Sequence, residues 1–250
     1  MRLADRIHLV GSGTMGFDLT DPYDCHIFLI DGGGELALID VGAGMGAEQV
    51  LEHVRADGFD PARIRQIVLT HAHVDHAGGA ARFRELLGGP ALLCSHAISG
   101  FVRDGDDRGV SLDVAKKAGF YPEEYALEPC PVDGELADGD EIRVGDLALT
   151  VLETPGHADG HVSLLLERGE ERLLFGGDVV FFGGTILLQN TWDCRLPEQI
   201  RSLRRLRELE ITGLLPGHLT LSLKNGQRHI ERANEALDRL LIPNQMVSAW

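Results

Sequence analysis

Four metal-ligand side chains fall within six residues at His71-Ala72-His73-Val74-Asp75-His76. Imidazole nitrogens and a carboxylate oxygen together suit zinc and similar divalent ions. Donors this close in the chain cannot all reach one ion in a relaxed geometry. The run therefore points to two adjacent metals, completed by ligands from elsewhere. The segment Ile67-Val68-Leu69-Thr70 before it reads as a buried strand, and Ala77-Gly78-Gly79 follows it. A loop leaving a strand end is where α/β proteins usually carry their chemistry.

Three further positions repeat one device: a strand end, one or two glycines, then a ligand-type side chain. They are His157 in Thr154-Pro155-Gly156-His157, Asp178 in Gly176-Gly177-Asp178, and His218 in Leu215-Pro216-Gly217-His218. Glycine lets the backbone turn sharply and come close to an ion. Each of the three alone reads more naturally as structural. Beside the histidine cluster they form a coherent set.

The elements that must position these residues follow from patterning. Strands are expected at Ile7 to Val10, His26 to Ile30 and Leu36 to Ile39, with a hairpin turn at Asp31-Gly32-Gly33-Gly34. A helix over Ala47 to Arg55 shows Val50, Leu51 and Val54 on one face. After the histidine cluster come a helix from about Gly79 to Leu87 and a strand at Ala91 to Cys94. Residues 97–140, rich in Asp, Gly, Pro and Glu, read as an insert with short helical pieces around Leu112 to Ala118 and Pro122 to Tyr125. It is either a lid or a plain surface excursion. The second half predicts strands at Glu141 to Val144, Leu147 to Leu152, His161 to Leu166, Arg172 to Phe175 and Leu214-Leu215. Helices are expected from Pro197 to about Glu210 and from Gln227 to Leu241, with Ile230, Leu237, Leu240 and Leu241 apolar. Two strand-rich halves, each followed by helices, predict two sheets packed face to face with helices outside. With no linker or repeat, residues 1–250 read as a single domain.

Composition narrows the function. The chain has 250 residues and a net charge of −16, from 39 acidic and 23 basic residues. Such a surface repels phosphate backbones and argues against nucleic-acid binding. No apolar stretch reaches the length of a membrane span, and the charged start Met1-Arg2-Leu3-Ala4-Asp5-Arg6 lacks a secretion signal. The scattered Cys25, Cys94, Cys130 and Cys194 read as free thiols of a cytoplasmic protein. The expected partner is a small-molecule substrate, with no membrane and no nucleic acid; a homodimer is one assembly left open.

The set His71, His73, Asp75, His76, His157, Asp178 and His218 resembles the metallo-β-lactamase superfamily of hydrolases, on its glyoxalase II-like and lactonase-like branch. Leu38-Ile39-Asp40-Val41-Gly42 is similar to the family's early Asp-x-Gly turn, and Thr154 to Ser163 to the corresponding lactonase stretch. The resemblance implies an α/β fold, a four-layer αβ/βα sandwich of two mixed β-sheets flanked by helices. It implies that His71, His73 and His157 hold one metal, Asp75, His76 and His218 a second, and that Asp178 bridges them. Asp40 would support the ligands from behind, unless it is only a turn former. The cofactor would be two divalent ions per chain, zinc foremost, with iron or manganese as alternatives.

Two such cations, offset by Asp75, Asp178 and a bridging hydroxide, leave about one net positive charge for an oxyanion. The implied reaction is hydrolysis of a small ester, lactone or thioester by that hydroxide, with Asp75 handling a leaving-group proton. A phosphodiesterase of the same fold, or an iron-dependent oxidoreductase acting on sulfur compounds, is the alternative. A lactam substrate is disfavoured by the carboxylate at Asp178 and the missing export signal. A glutathione thioester is disfavoured because only 32 residues follow His218.

Substrate contacts are expected from Val179 to Arg195, with Phe181, Gln189 and Trp192 as candidate pocket residues and Phe182, Asn190 and Arg195 beside them. Core packing is the competing assignment for Phe181 and Phe182. The loop Gly13 to Thr20, with Met15 and Phe17, is a second candidate wall. Tyr121 or Tyr125 could reach in from the insert, and His96 and His161 read as structural.

Overall fold

The computed structural model describes residues 1–246; the last four residues of the 1–250 span lie outside the described residues. The chain divides into two compact units, one comprising Met1–Leu136 with Arg143–Leu147, the other Ala137–Ile142 with residues from Ala148 onward.

The first unit is built on a seven-stranded sheet whose spatial order follows the sequence: β1 (Arg2–Ala4), β2 (Ile7–Gly11), β3 (Ile27–Asp31), β4 (Leu36–Ile39), β5 (Ile64–Val68), β6 (Ala91–Ser95) and β7 (Gly134–Leu136). Neighbours from β1 to β4 are antiparallel and those from β4 to β7 are parallel. The expected hairpin joins β3 to β4, where Gly32 N–H donates to Glu35 O at 2.9 Å. Parallel pairs need crossovers. These are α1 (Ala47–Ala56), then α2 (Val74–Ala77) with α3 (Ala80–Leu87), then α4 (His96–Asp104) with α5 (Leu112–Lys117). Strand residues Val10, Leu29, Leu38, Ile67 and Leu92 share one core with Val50 and Val54 of α1, Phe83 of α3 and Val102 of α4. Each such side chain stabilises the fold by about 1.5–3 kcal/mol when fully buried.

Three details differ from expectation. The second half of the histidine cluster is a single helical turn, α2, in which His73 O accepts N–H bonds from His76 and Ala77, both at 2.9 Å. The insert opens with α4, which buries Ile98 and Val102 at i, i+4 spacing. Pro122 to Tyr125 is not a helix but a turn, closed by Tyr125 N–H to Pro122 O at 3.1 Å; one such bond cannot propagate a helix.

The second unit carries a five-stranded sheet in the order β12-β11-β10-β9-β8, from β8 (Glu141–Val144), β9 (Leu147–Glu153), β10 (Val162–Arg168), β11 (Glu171–Gly177) and β12 (Gly213–Pro216). β9, β10 and β11 run antiparallel in turn, while β11 and β12 are parallel. Helices α6 (Leu196–Arg207) and α7 (Gln227–Asp238) contribute Leu203, Leu206, Ile230 and Leu237 to a core with Leu165, Leu174 and Leu214. Helix α7 stops three residues before the expected Leu241. Leu240 adopts φ +58°, and it and Leu241 are exposed instead of completing the apolar face. Both sheets are mixed and flanked by helices, the α/β class expected. Among the described residues no helix is long and apolar enough to cross a membrane.

One buried carboxylate in the first unit has a stability consequence. Asp24 accepts the Thr20 hydroxyl at 2.7 Å and Ala43 N–H at 2.9 Å. Burial outweighs these bonds and pushes its carboxyl up to about 6 from the ordinary 3.8. The native state therefore keeps a proton that the unfolded chain has released, so stability falls as pH rises from about 4 to about 6. Asp24→Asn should flatten that decline by on the order of 2 kcal/mol in urea unfolding across this window. The same slope in wild type and variant would contradict the assignment.

Candidate functional site

In the first unit, β4 and β5 lie parallel, so their carboxyl ends stand side by side. Asp40 follows β4, and Thr70-His71 lies just beyond β5; Asp40 N–H donates to Val68 O at 2.9 Å. Asp40 takes φ +59°, a left-handed conformation that aspartate tolerates better than most residues. Its buried carboxylate accepts Thr70 N–H at 2.8 Å, the Thr70 hydroxyl at 2.8 Å and His76 Nδ1–H at 2.9 Å. With its proton committed to Asp40, the Thr70 hydroxyl oxygen accepts His71 Nδ1–H at 3.0 Å. A neutral imidazole has one N–H. His71 and His76 therefore both present Nε2 as a lone pair.

The ring centroids of His71 and His73 are 4.8 Å apart and those of His71 and His76 4.1 Å. His76 Nε2 lies 3.7 Å from Asp75 Oδ2. The backbone of the cluster is tied down by Cys25 N–H to Asp75 O at 3.1 Å, Val41 N–H to His76 O at 2.9 Å and Gly79 N–H to Gly42 O at 2.9 Å. Gly79 permits the last approach, because a Cβ there would run into Val41 O.

The second unit repeats the construction. β11 and β12 are parallel, with Asp178 just past the first and His218 two residues past the second; Gly217 N–H donates to Gly177 O at 2.8 Å. His157 follows β9, whose end is brought level with that of β11 by the register Val162↔Glu153 and Leu164↔Phe175. His157 donates Nδ1–H to Leu187 O at 3.1 Å, again leaving Nε2 as a lone pair. The Nε2 atoms of His157 and His218 lie 3.6 Å and 3.5 Å from the same oxygen, Asp178 Oδ2. These separations exceed hydrogen bonds. Two donors sharing one zinc tetrahedrally at 2.0–2.1 Å stand about 3.4 Å apart. By chemistry and spacing, clustered histidines and aspartates of this chain are able to bind metal.

Residues outside the ligand set fall into place around them. Phe181 is fully buried and packs against the His218 ring, centroids 6.4 Å apart, so it backs that imidazole and forms no open wall. Trp192 and Gln189 are exposed, and Phe182 is partly exposed against His229 at 4.4 Å. Arg195 is committed to Asp159 by two bonds of 2.6 and 2.8 Å. Met15 and Phe17 are exposed, with Phe17 stacked on His26 at 5.3 Å. Tyr23, Tyr121 and Tyr125 form a stack with centroids 5.1 and 5.3 Å apart, and Tyr125 OH donates to Ala43 O at 2.8 Å. Burial first, then the nearby Asp75 charge, holds the phenols of Tyr121 and Tyr125 protonated. His96 is an exposed partner of Glu135.

Three residues escaped sequence reasoning. The Cys25 thiol clusters with Asp40 and His76, and burial pushes it up to about 12, keeping it neutral. Thr70 and Thr154 act as hydroxyl relays, which no spacing announces.

A family model described as the metallo-beta-lactamase superfamily matches residues 20–218, a span holding every ligand candidate. The chain is 31% identical over 214 residues to the acyl-coenzyme A thioesterase MBLAC2 of Gallus gallus, covering 78% of this chain and 73% of that protein. It is 32% identical over 159 residues to a hydroxyacylglutathione hydrolase of Cereibacter sphaeroides, covering 62% of this chain and 49% of that protein. A crystal structure of a metallo-beta-lactamase family protein from Thermus thermophilus is similar with a TM-score of 0.73 at 27% identity, covering 96% of this chain and 82% of the other. The chain belongs to the metallo-β-lactamase superfamily. It is a metal-dependent hydrolase, with glyoxalase II-like relatives as the ligand pattern implied.

The bonds made by Asp40 carry a testable consequence. Asp40→Asn keeps the size but loses the charge that holds His76 Nδ1–H and orders Thr70. Zinc affinity, measured by competition with a chromophoric chelator, should fall about 10–100-fold. Unchanged affinity would reduce Asp40 to a turn former.

Proposed function

We propose that the two ligand sets act together as one dinuclear centre that hydrolyses an acyl thioester. His71, His73 and His157 would hold one divalent ion, Asp75, His76 and His218 the other, with Asp178 shared and zinc the preferred metal. The observation that carries this reading is the placement of Asp178 Oδ2 within 3.5–3.6 Å of two imidazole Nε2 atoms. That suits a carboxylate serving more than one ion. The family model spans both ligand sets, which supports their joint use.

When bound, the ions would supply Lewis acidity for a carbonyl and a water acidic enough to attack near neutral pH. The protein's share is to keep the imidazoles in the Nε2-ligating tautomer, to hold Asp178 fixed, and to present Asp75. Asp75 is the least buried of the aspartates in the set, its side chain 23% exposed against 3% for Asp178. It is the carboxylate best placed to exchange a proton with a leaving group. One relative is named for acyl-coenzyme A thioesters and another for hydroxyacylglutathione, which favours thioesters over lactones and oxygen esters. The four cysteines are all free, which supports a reducing, cytoplasmic setting.

The test is metal analysis followed by a panel of acyl thioesters, lactones, a phosphodiester and a β-lactam, before and after chelation. Two zinc per chain and metal-dependent thioester cleavage are expected. A single iron, or a preference for the phosphodiester, would overturn the reading. Compared with wild type at full metal occupancy, Asp75→Asn should lower kcat by roughly 100-fold or more with little change in KM. A near-normal kcat would remove the proton-handling role. Trp192→Ala should raise KM at constant metal content, and unchanged kinetics would take Trp192 out of substrate contact.

A further inference from the structure

Asp178 sits at the end of Gly176-Gly177, with Gly177 at φ +48°, a turn that is loose by its own backbone preferences. Something must hold its carboxylate. The Gly217 N–H bond to Gly177 O secures one side. The other side leads to His161, which is fully buried at the start of β10.

Asp178 N–H donates to His161 Nε2 at 3.0 Å, so that nitrogen is the acceptor and the ring proton is on Nδ1. Nδ1–H then donates to Thr154 Oγ1 at 2.9 Å. The Thr154 hydroxyl is left to donate to Ser163 Oγ at 2.8 Å, and the Ser163 hydroxyl donates to Gly176 O at 3.3 Å. Every proton in the chain has one direction, and the chain begins and ends on the same turn. Thr154, His161 and Ser163 are all fully buried, so water does not compete for these bonds.

We propose that His161, through the Thr154–Ser163 relay, is a positioning residue that clamps the Gly176-Gly177-Asp178 turn and so fixes the shared metal-ligand carboxylate. His161 lies outside the proposed ligand set; its ring stands edge-on to that of His157, centroids 6.3 Å apart. The inference rests on the reading of Asp178 as a metal ligand, and it adds a determinant that the ligand set does not contain.

Two substitutions separate this role from mere packing. His161→Gln can place an amide oxygen near the position of Nε2 and retain the acceptor for Asp178 N–H. His161→Asn places its amide near Nδ1, keeps the link to Thr154 and loses that acceptor. In the full-length protein, His161→Asn should weaken zinc binding by about 10–100-fold, whereas His161→Gln should stay within about threefold of wild type. Amide exchange of Asp178, followed by NMR in the metal-free protein, should accelerate in the Asn variant and remain slow in the Gln variant.

The proposal is overturned if His161→Asn binds zinc and protects the Asp178 amide as wild type does, or if both variants fail equally while folded. Should His161→Asn not fold, Thr154→Val carries the test. It breaks the relay at its centre and should also speed Asp178 exchange; an unchanged rate overturns the clamp. If wild type binds no zinc, the dinuclear reading fails by itself, and the metal-free exchange rates still decide the clamp.

Discussion

A neutral imidazole has one proton, and where that proton goes decides which of its two nitrogens can hold a metal. In this chain the decision is made by buried neighbours. His71 gives its Nδ1 proton to Thr70, His76 to Asp40 and His157 to the carbonyl of Leu187, all buried partners. Each ring is thereby oriented, with the lone pair on Nε2. Placing these acceptors requires the carboxyl ends of parallel strands to stand side by side, so the tautomers depend on the sheets. Loss of the fixed acceptors would leave the same residues as flexible, hydrated side chains with much weaker affinity.

The two units reach that arrangement by the same construction. Each sheet is antiparallel where its meander runs, but the strands leading into Asp40 and His71, and into Asp178 and His218, are parallel pairs, β4 with β5 and β11 with β12. In both, a backbone bond ties the end of one strand to that of its neighbour: Asp40 N–H to Val68 O, and Gly217 N–H to Gly177 O. An antiparallel pair would point its strand ends in opposite directions and could not bring two following loops together. The glycines at these loops allow approaches that a Cβ would block, as at Gly79 against Val41 O.

Charge follows the same logic. The chain carries a net charge of −16, yet the aspartates that matter most are buried. Three donors converge on the buried Asp40 carboxylate: Thr70 N–H, the Thr70 hydroxyl and His76 Nδ1–H. Asp24 also accepts hydrogen bonds, yet burial outweighs them and pushes its carboxyl up to about 6.

The ligand candidates were legible because their chemistry is tied to local signals: a run of imidazoles after an apolar strand, and the repeated strand, glycine, ligand device at His157, Asp178 and His218. Most strands and the helices α1, α3 and α6 were legible too, since apolar periodicity reflects the face each element buries. Other features were not. Strand β7 has three residues and exists because β6 pairs with it. Helix α4 lay inside a polar-looking segment, and the apolar pair Leu240-Leu241 suggested a longer α7 than the backbone allows. His161, read as structural from sequence, holds the turn that carries Asp178, and Thr70 and Thr154 gain their roles only from the direction of hydroxyl protons. Residue types and local spacing thus determined the class of chemistry and the candidate ligands. Tertiary structure alone decided which partner takes each proton, because that depends on strand pairing between residues far apart in the chain.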